Sequence, residues 1–293
     1  MKKFLYKSFF LFLIIFVLDI IVGEMVPLLI KKGGKGDYAF LFDRCNADVL
    51  VFGSSRAYRH YNPLIIKDSL GLSCYNCGES GMGFIHNYAI FHEMTSRYKP
   101  KLVIYDINPP IDIINDHKDK HMYLKGLKPY HDKEGVKAVL NAVDKFERYK
   151  TLSNLYCYNS DFDIDNERSY CGYIPTNKKF DKTKVRIGER LIEREMDMLK
   201  LYFANLFVNE AVDKNIHIIL CISPRWYGLD KYYVEKVQTI CKQHNIPFFD
   251  YSNNSKYVHN NDYFSDGLHM NGLGADEFTR DLVHVLKINR VID

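Results

Sequence analysis

Five short apolar runs, at residues 49–52, 72–75, 102–107, 216–222 and 247–251, recur along the chain with helix-length stretches between them. Runs of this length are strands, and strands that alternate with helices form a parallel sheet covered by helices. The helical stretches include residues 83–98 and 232–244, and the turn signals Lys99-Pro100 and Asn245-Ile246-Pro247 lead into the next strands. The expected fold class is therefore α/β: a three-layer, doubly wound, five-stranded parallel sheet. With 293 residues, 47% of them hydrophobic, the chain is long enough to bury a large core as one elaborated domain.

The amino-terminal residues do not belong to that pattern. Met1-Lys2-Lys3 and Lys7 precede residues 9–30, a segment dominated by Phe, Leu, Ile and Val and about as long as a bilayer is thick when helical. It reads as a signal anchor, with residues 1–36 as membrane helix and linker and 37–293 as the α/β domain held outside the cytoplasm. Asp19, Glu24 and Pro27 interrupt it, so the uninterrupted apolar core, residues 9–18, also fits a signal peptide. A buried helix of a cytosolic protein is the third reading. The 40 basic and 36 acidic residues, net +4, are mixed along the chain without a basic block, which argues against a nucleic-acid partner.

Residues 112 to about 186 interrupt the alternation as a polar, Tyr-rich insertion, with a helical piece at 134–149 and a loop-like piece at 159–183. Such an insertion either shapes a substrate site or is a surface excursion. Residues 185–213 then read as one long helix whose stripe of Leu191, Met198, Leu199, Tyr202, Leu206 and Val208 faces the core. The seven cysteines, an odd number, show no disulfide framework. Cys74-Tyr-Asn-Cys77 lacks a second ligand pair for zinc, and Cys157 and Cys171 flank a polar loop across which they could pair.

Two stretches carry candidate chemistry. "VFGSSR" runs a strand through Gly53 into Ser54, Ser55 and Arg56. A hydroxyl there lies at the carboxyl edge of the sheet beside helix-terminal N–H groups that can hold an oxyanion, although serine also serves there simply as an N-cap. "SDGLH" places Asp266 three residues before His269, ahead of a helix starting near Gly274. One turn brings that carboxylate to the imidazole Nδ1 and leaves Nε2 free to take a serine proton. The alternative is a surface loop in which Asp266 caps a turn.

Taken in order, these blocks resemble the SGNH or GDSL hydrolase family over residues 48–286, the insertion excepted. Gly53-Ser54-Ser55 matches the nucleophile block, so the resemblance makes Ser55 the nucleophile. Asn76-Cys77-Gly78-Glu79-Ser80-Gly81 matches the second block and makes Gly81, with Ser55, an oxyanion-hole N–H donor. Asn108, after the third strand, stands for the third block without its glycines. Asp266-Gly-Leu-His269 matches the last block, completing a Ser55, Asp266, His269 triad. The family implies a flavodoxin-like fold and no metal or organic cofactor.

The Gly-Ser-Ser-Arg block and the single membrane helix resemble envelope branches associated with polysaccharide O-acetylation or teichoic-acid D-alanylation. The implied activity is that of a serine esterase or O-acyltransferase acting on an acylated glycan or small ester, with Arg56 binding an anionic substrate. A membrane acyl-donor protein is a partner of the transferase reading. The alternative is a non-catalytic envelope protein that keeps the fold and binds glycan or an assembly partner.

Overall fold

The computed structural model describes residues 1–33, 37–115, 117, 119–158, 170–181, 183 and 195–291. A long helix, α1 (Lys2–Gly33), leads through α2 (Asp37–Asp43) into β1 (Val49–Gly53). Helices α3 (Ser55–His60) and α4 (Pro63–Leu70) precede β2 (Cys74–Asn76), and α5 (Phe84–Arg97) precedes β3 (Leu102–Asp106). Helix α6 (Pro109–Asp112) follows β3 directly, and the insertion contributes α7 (Glu134–Val143), α8 (Glu147–Lys150) and α9 (Asn154–Cys157). After it come α10 (Met198–Asp213), β4 (His217–Ile222), α11 (Lys231–His244), β5 (Phe248–Asp250) and α12 (Gly272–Ile288).

The five strands form one wholly parallel sheet in the order β2-β1-β3-β4-β5. Both faces are covered, which is why the strands read as continuous apolar runs rather than as an alternation. Leu50, Phe52, Val103, Tyr105, Ile218 and Leu220 pack with α2, α5, α7, α10 and α11. Their neighbours Val49, Val51, Leu102, Ile104, Ile219 and Cys221 pack with α3 and α12 on the opposite face. From β1 the chain winds first to β2 and then back to β3 on the other side. The crevice at the carboxyl ends of β1 and β3 is therefore the topological switch point, where α/β sheets place their sites.

The structure corrects the expected helix at 185–213. The helix begins at Met198, because Asp197 accepts hydrogen bonds from the N–H groups of Leu199 and Lys200 and so caps it. Leu191 lies outside the described residues. Only part of the expected stripe is core: Met198 and Tyr202 are exposed and Leu199 and Leu206 are half-buried against the core, while Val208 lies on the buried face with Lys200, Phe203, Ala204, Phe207 and Ala211. Nor is 134–149 one helix, since α7 stops at Val143 and α8 restarts at Glu147. Cys157 and Cys171 are unpaired, and Cys157 donates to the Thr151 carbonyl. The described end of the insertion lies along the sheet edge: Asn76 N–H donates to Cys171 O, and Ile174 N–H to Tyr58 O.

At the end of β1, Gly53 has φ +139°, and a Cβ there would stand 2.6 Å from the Asp106 carbonyl oxygen. Only glycine relieves both the backbone strain and the clash. Gly53→Ala is expected to lower the free energy of unfolding by about 1–3 kcal/mol, read as a lower urea midpoint at unchanged slope; an unchanged midpoint would show that the turn is not constrained.

Candidate active site

Helix α3 starts directly after Gly53 and Ser54, so its first residue is Ser55, half-buried at the carboxyl edge of the sheet. Ser54 is the residue in the N-cap position, yet its side chain makes no cap bond; it is fully buried, and its Oγ has no partner among the described residues. The capping role open to these serines is thus not filled by Ser54.

The loop ahead of α12 folds back on itself. Phe264 bridges Met270, Ser265 N–H donates to His269 O at 2.9 Å, and Asn271 N–H donates to Tyr263 O at 3.0 Å. Asn271 then caps α12 by accepting from Gly274 N–H. Within the loop, Asp266 Oδ1 accepts from Leu268 N–H and His269 N–H, both at 2.8 Å. The same carboxylate lies 3.1 and 3.0 Å from His269 Nδ1. Burial would raise the Asp266 pKa. The bond and charge of His269, with the two N–H donors, outweigh it and hold the carboxyl at about 2, fully ionised.

These two pieces meet. Ser55 Oγ lies 2.8 Å from His269 Nε2, although the two are 214 positions apart in the chain. An ionised carboxylate on Nδ1 makes that nitrogen the donor, so Nε2 faces the serine hydroxyl as acceptor. Hydroxyl, imidazole and carboxylate are in line for the serine proton to move to the ring.

The other expected site residues lie around the same edge. Cys77 N–H donates to Val51 O and Glu79 N–H to Gly53 O, which lays the segment leading to Gly81 beside the end of β1. Gly81 has φ +73°, and no backbone acceptor among the described residues takes its N–H. Asn76 holds α3 in place: its side chain donates to the carbonyls of Ala57 and Tyr61 and accepts from Gly78 N–H. Asn108 follows β3, and its side-chain oxygen accepts a short hydrogen bond from Arg225 Nη2, which turns the amide nitrogen away from Arg225.

Arg56 is elsewhere. It is 1% exposed, pairs with Asp106 through Nε at 3.4 Å, and donates through Nη2 to Ser223 Oγ at 2.6 Å and to the Ser223 carbonyl. Successive helical residues point about 100° apart, so the turn that exposes Ser55 drives Arg56 under the sheet edge. It does not face a substrate.

Sequence reasoning passed over the rest of this buried network. Asp106 Oδ1 accepts from Tyr61 Oη at 2.8 Å and from Ser223 N–H at 2.9 Å. His60 Nδ1 lies 2.9 Å from Ser223 Oγ, and His60 Nε2 accepts the Met270 N–H at 3.0 Å. Burial first, then the charge of Arg56, pushes the His60 pKa well below the ordinary histidine value. The ring is therefore neutral, and with Nε2 accepting, Nδ1 is its donor. Burial and Arg56 likewise bring Arg225 down to about 10. The available signal was the run at 216–222 ending in Ser223-Pro-Arg225 at the same sheet edge as Ser55.

Among the described residues, His121, Asp144 and Glu147 could bring three metal-ligating atoms together, but they lie in the insertion. The Lys150 ammonium already stands 2.6 Å from Glu147 Oε1. The candidate site itself has no such cluster among the described residues.

No family model and no curated protein sequence matches the chain. Solved structures do. A GDSL-like lipase from Bacteroides thetaiotaomicron is 12% identical over 83% of this chain and 88% of its own, with a TM-score of 0.41. An acetyl xylan esterase is 12% identical over 81% of this chain and 99% of its own, TM-score 0.41. A second acetyl xylan esterase, from the rumen bacterium Butyrivibrio proteoclasticus, is 10% identical over 82% and 63%, TM-score 0.39.

The placement of Arg56 has a measurable consequence. Arg56→Ala leaves Asp106 as an uncompensated buried charge, so it is expected to cost about 3–5 kcal/mol of folding stability in denaturant titration. Unchanged stability with weakened substrate binding alone would put Arg56 back in a substrate-facing role.

Proposed function

We propose that this chain is a serine esterase or O-acyltransferase of SGNH type, acting on acyl esters through Ser55, His269 and Asp266. The observation that carries the reading is the 2.8 Å approach of Ser55 Oγ to His269 Nε2, with Asp266 on the opposite ring nitrogen. A fold kept only for glycan binding places no demand on that distance, so the geometry favours the enzyme over the binding module.

In the proposed reaction His269 takes the Ser55 proton as Ser55 Oγ attacks the ester carbonyl, forming a tetrahedral oxyanion. The N–H groups of Ser55 and Gly81, with the Asn108 amide, are the candidate donors to that oxyanion. Collapse returns the proton from His269 to the leaving alcohol and leaves an acyl group on Ser55. Water or a sugar hydroxyl, deprotonated in turn by His269, then takes the acyl group, and the proton passes from His269 to the departing Ser55 Oγ. Asp266 stays ionised throughout and stabilises the imidazolium.

A cell-envelope glycan is the proposed substrate class. It is supported by α1, which is long and apolar enough to cross a membrane, with none of its most apolar stretch buried in the fold. On this reading the α/β domain is tethered outside the cytoplasm, where acylated surface glycans are found.

Fluorophosphonate labelling with mass spectrometric mapping tests the assignment, since it needs the nucleophile and base but no acceptor. Label is expected on Ser55, retained in Ser54→Ala and abolished in Ser55→Ala. Labelling in His269→Ala should slow by about 10²–10⁴-fold. Label that persists in Ser55→Ala, or a rate indifferent to His269→Ala, would return the chain to the binding-module reading.

A further inference from the structure

The insertion contains a segment with its polarity inverted. Between α7 and α9, Phe146, Tyr149 and Leu152 are 56%, 68% and 81% exposed, while Glu147 and Thr151 beside them are buried. Glu147 is held inward by Lys150 Nζ at 2.6 Å and Tyr156 Oη at 2.5 Å. A water-facing turn buries its apolar side chains and exposes its acid; this one does the reverse. Lys145 and Arg148 are exposed in the same stretch, and the Lys145 ammonium lies 5.2 Å from the Phe146 ring centre.

The segment is also joined to α1. Asp19 Oδ1 accepts from Ser153 Oγ at 2.6 Å and from Leu155 N–H at 2.9 Å, and Oδ2 accepts from Asn154 Nδ2 at 3.2 Å. One turn further on, a Cβ on Gly23 would stand 2.5 Å from Asn154 Nδ2, so a side chain there would push that amide from its place beside Asp19. Asp19, a costly residue for a membrane helix, here satisfies the donors at the start of α9. That contact fixes the height of the domain. Docking at Asp19 leaves residues 2–18 of α1 for the lipid in place of the expected 9–30: about 26 Å of helix, slightly less than the roughly 30 Å of a bilayer core, with Lys2, Lys3 and Lys7 reaching back to the far headgroups. The docked end of the insertion then lies at the bilayer surface, not beyond it.

We propose that Phe146, Tyr149 and Leu152 form a second membrane contact, inserted into the lipid interface beside α1 and flanked by Lys145 and Arg148 toward anionic headgroups. Aromatic side chains beside lysine and arginine are the composition of interfacial anchors. The inference rests on reading α1 as a membrane span. It makes the domain a docked body with a defined face toward lipid, rather than one swinging on a flexible tether.

Tryptophan quenching by brominated lipid separates the two claims. The single native tryptophan is removed by Trp226→Phe, and either Leu152→Trp or Phe12→Trp is introduced into the full chain. Each protein is reconstituted in phosphatidylcholine–phosphatidylglycerol vesicles carrying bromines near the glycerol end of the acyl chains or near their middle. The Leu152→Trp reporter is expected to lose more emission to the shallow bromines than to the deep ones, and Phe12→Trp to be quenched as a residue of the span. Adding Asp19→Ala should relieve the quenching of the Leu152→Trp reporter and leave that of Phe12→Trp. Quenching of Phe12→Trp alone would overturn the second contact and leave the anchor intact; quenching of neither would overturn the anchor reading itself, and this proposal with it.

Discussion

The carboxyl edge of the sheet depends on one buried ion pair, Arg56 with Asp106. Two charges taken out of water are stable together only if their remaining donors and acceptors are also satisfied. The surrounding structure supplies most of those partners from separate parts of the chain, leaving Arg56 Nη1 without one among the described residues. Tyr61 and the Ser223 N–H bind Asp106, Ser223 receives Arg56, His60 meets Ser223, and His60 also takes the Met270 N–H. The ends of β1, β3 and β4 and the loop before α12 are thereby tied into a single polar network.

That network explains how residues so far apart in sequence come within hydrogen-bond reach. Ser55 is one residue before Arg56, and His269 is one residue before Met270. The side chain or N–H of each second member is fixed below the surface, so each first member is held above it. Helix α3 is pinned further where Thr279 of α12 accepts from Asn62 N–H and donates to His60 O. A hydroxyl and an imidazole held by locked neighbours, not by their own contact, are preorganised in the sense that the proposed chemistry requires.

The layered fold was legible because strands buried on both faces write themselves as unbroken apolar runs. All five observed strands overlap those runs. Helix α10 was less legible: Leu199, Leu206 and Val208 pack on the core as expected, but Met198 and Tyr202 do not, and the packing of α5 and the sheet buries Phe203 and Phe207. Arg56 was misread for a related reason. Charge suggests solvent, and its acid partner is 50 residues away on another strand, where no local pattern can announce it. Asp266 and His269 were readable because their contact closes within one turn.

Capping and chemistry were set against each other at Asp266, as structure and cost were at Asp19, and in neither place are they alternatives. A carboxylate has about four acceptor positions, so Asp266 can take two backbone N–H groups and still meet an imidazole. The backbone bonds are what aim the carboxylate, and an acid without them would be free to rotate away from Nδ1. Asp19 works by the same economy of acceptors. Its three donors from residues 153–155 replace the water an isolated carboxylate would need, and the residue that weakens α1 as a simple span becomes the one that orients the domain upon it.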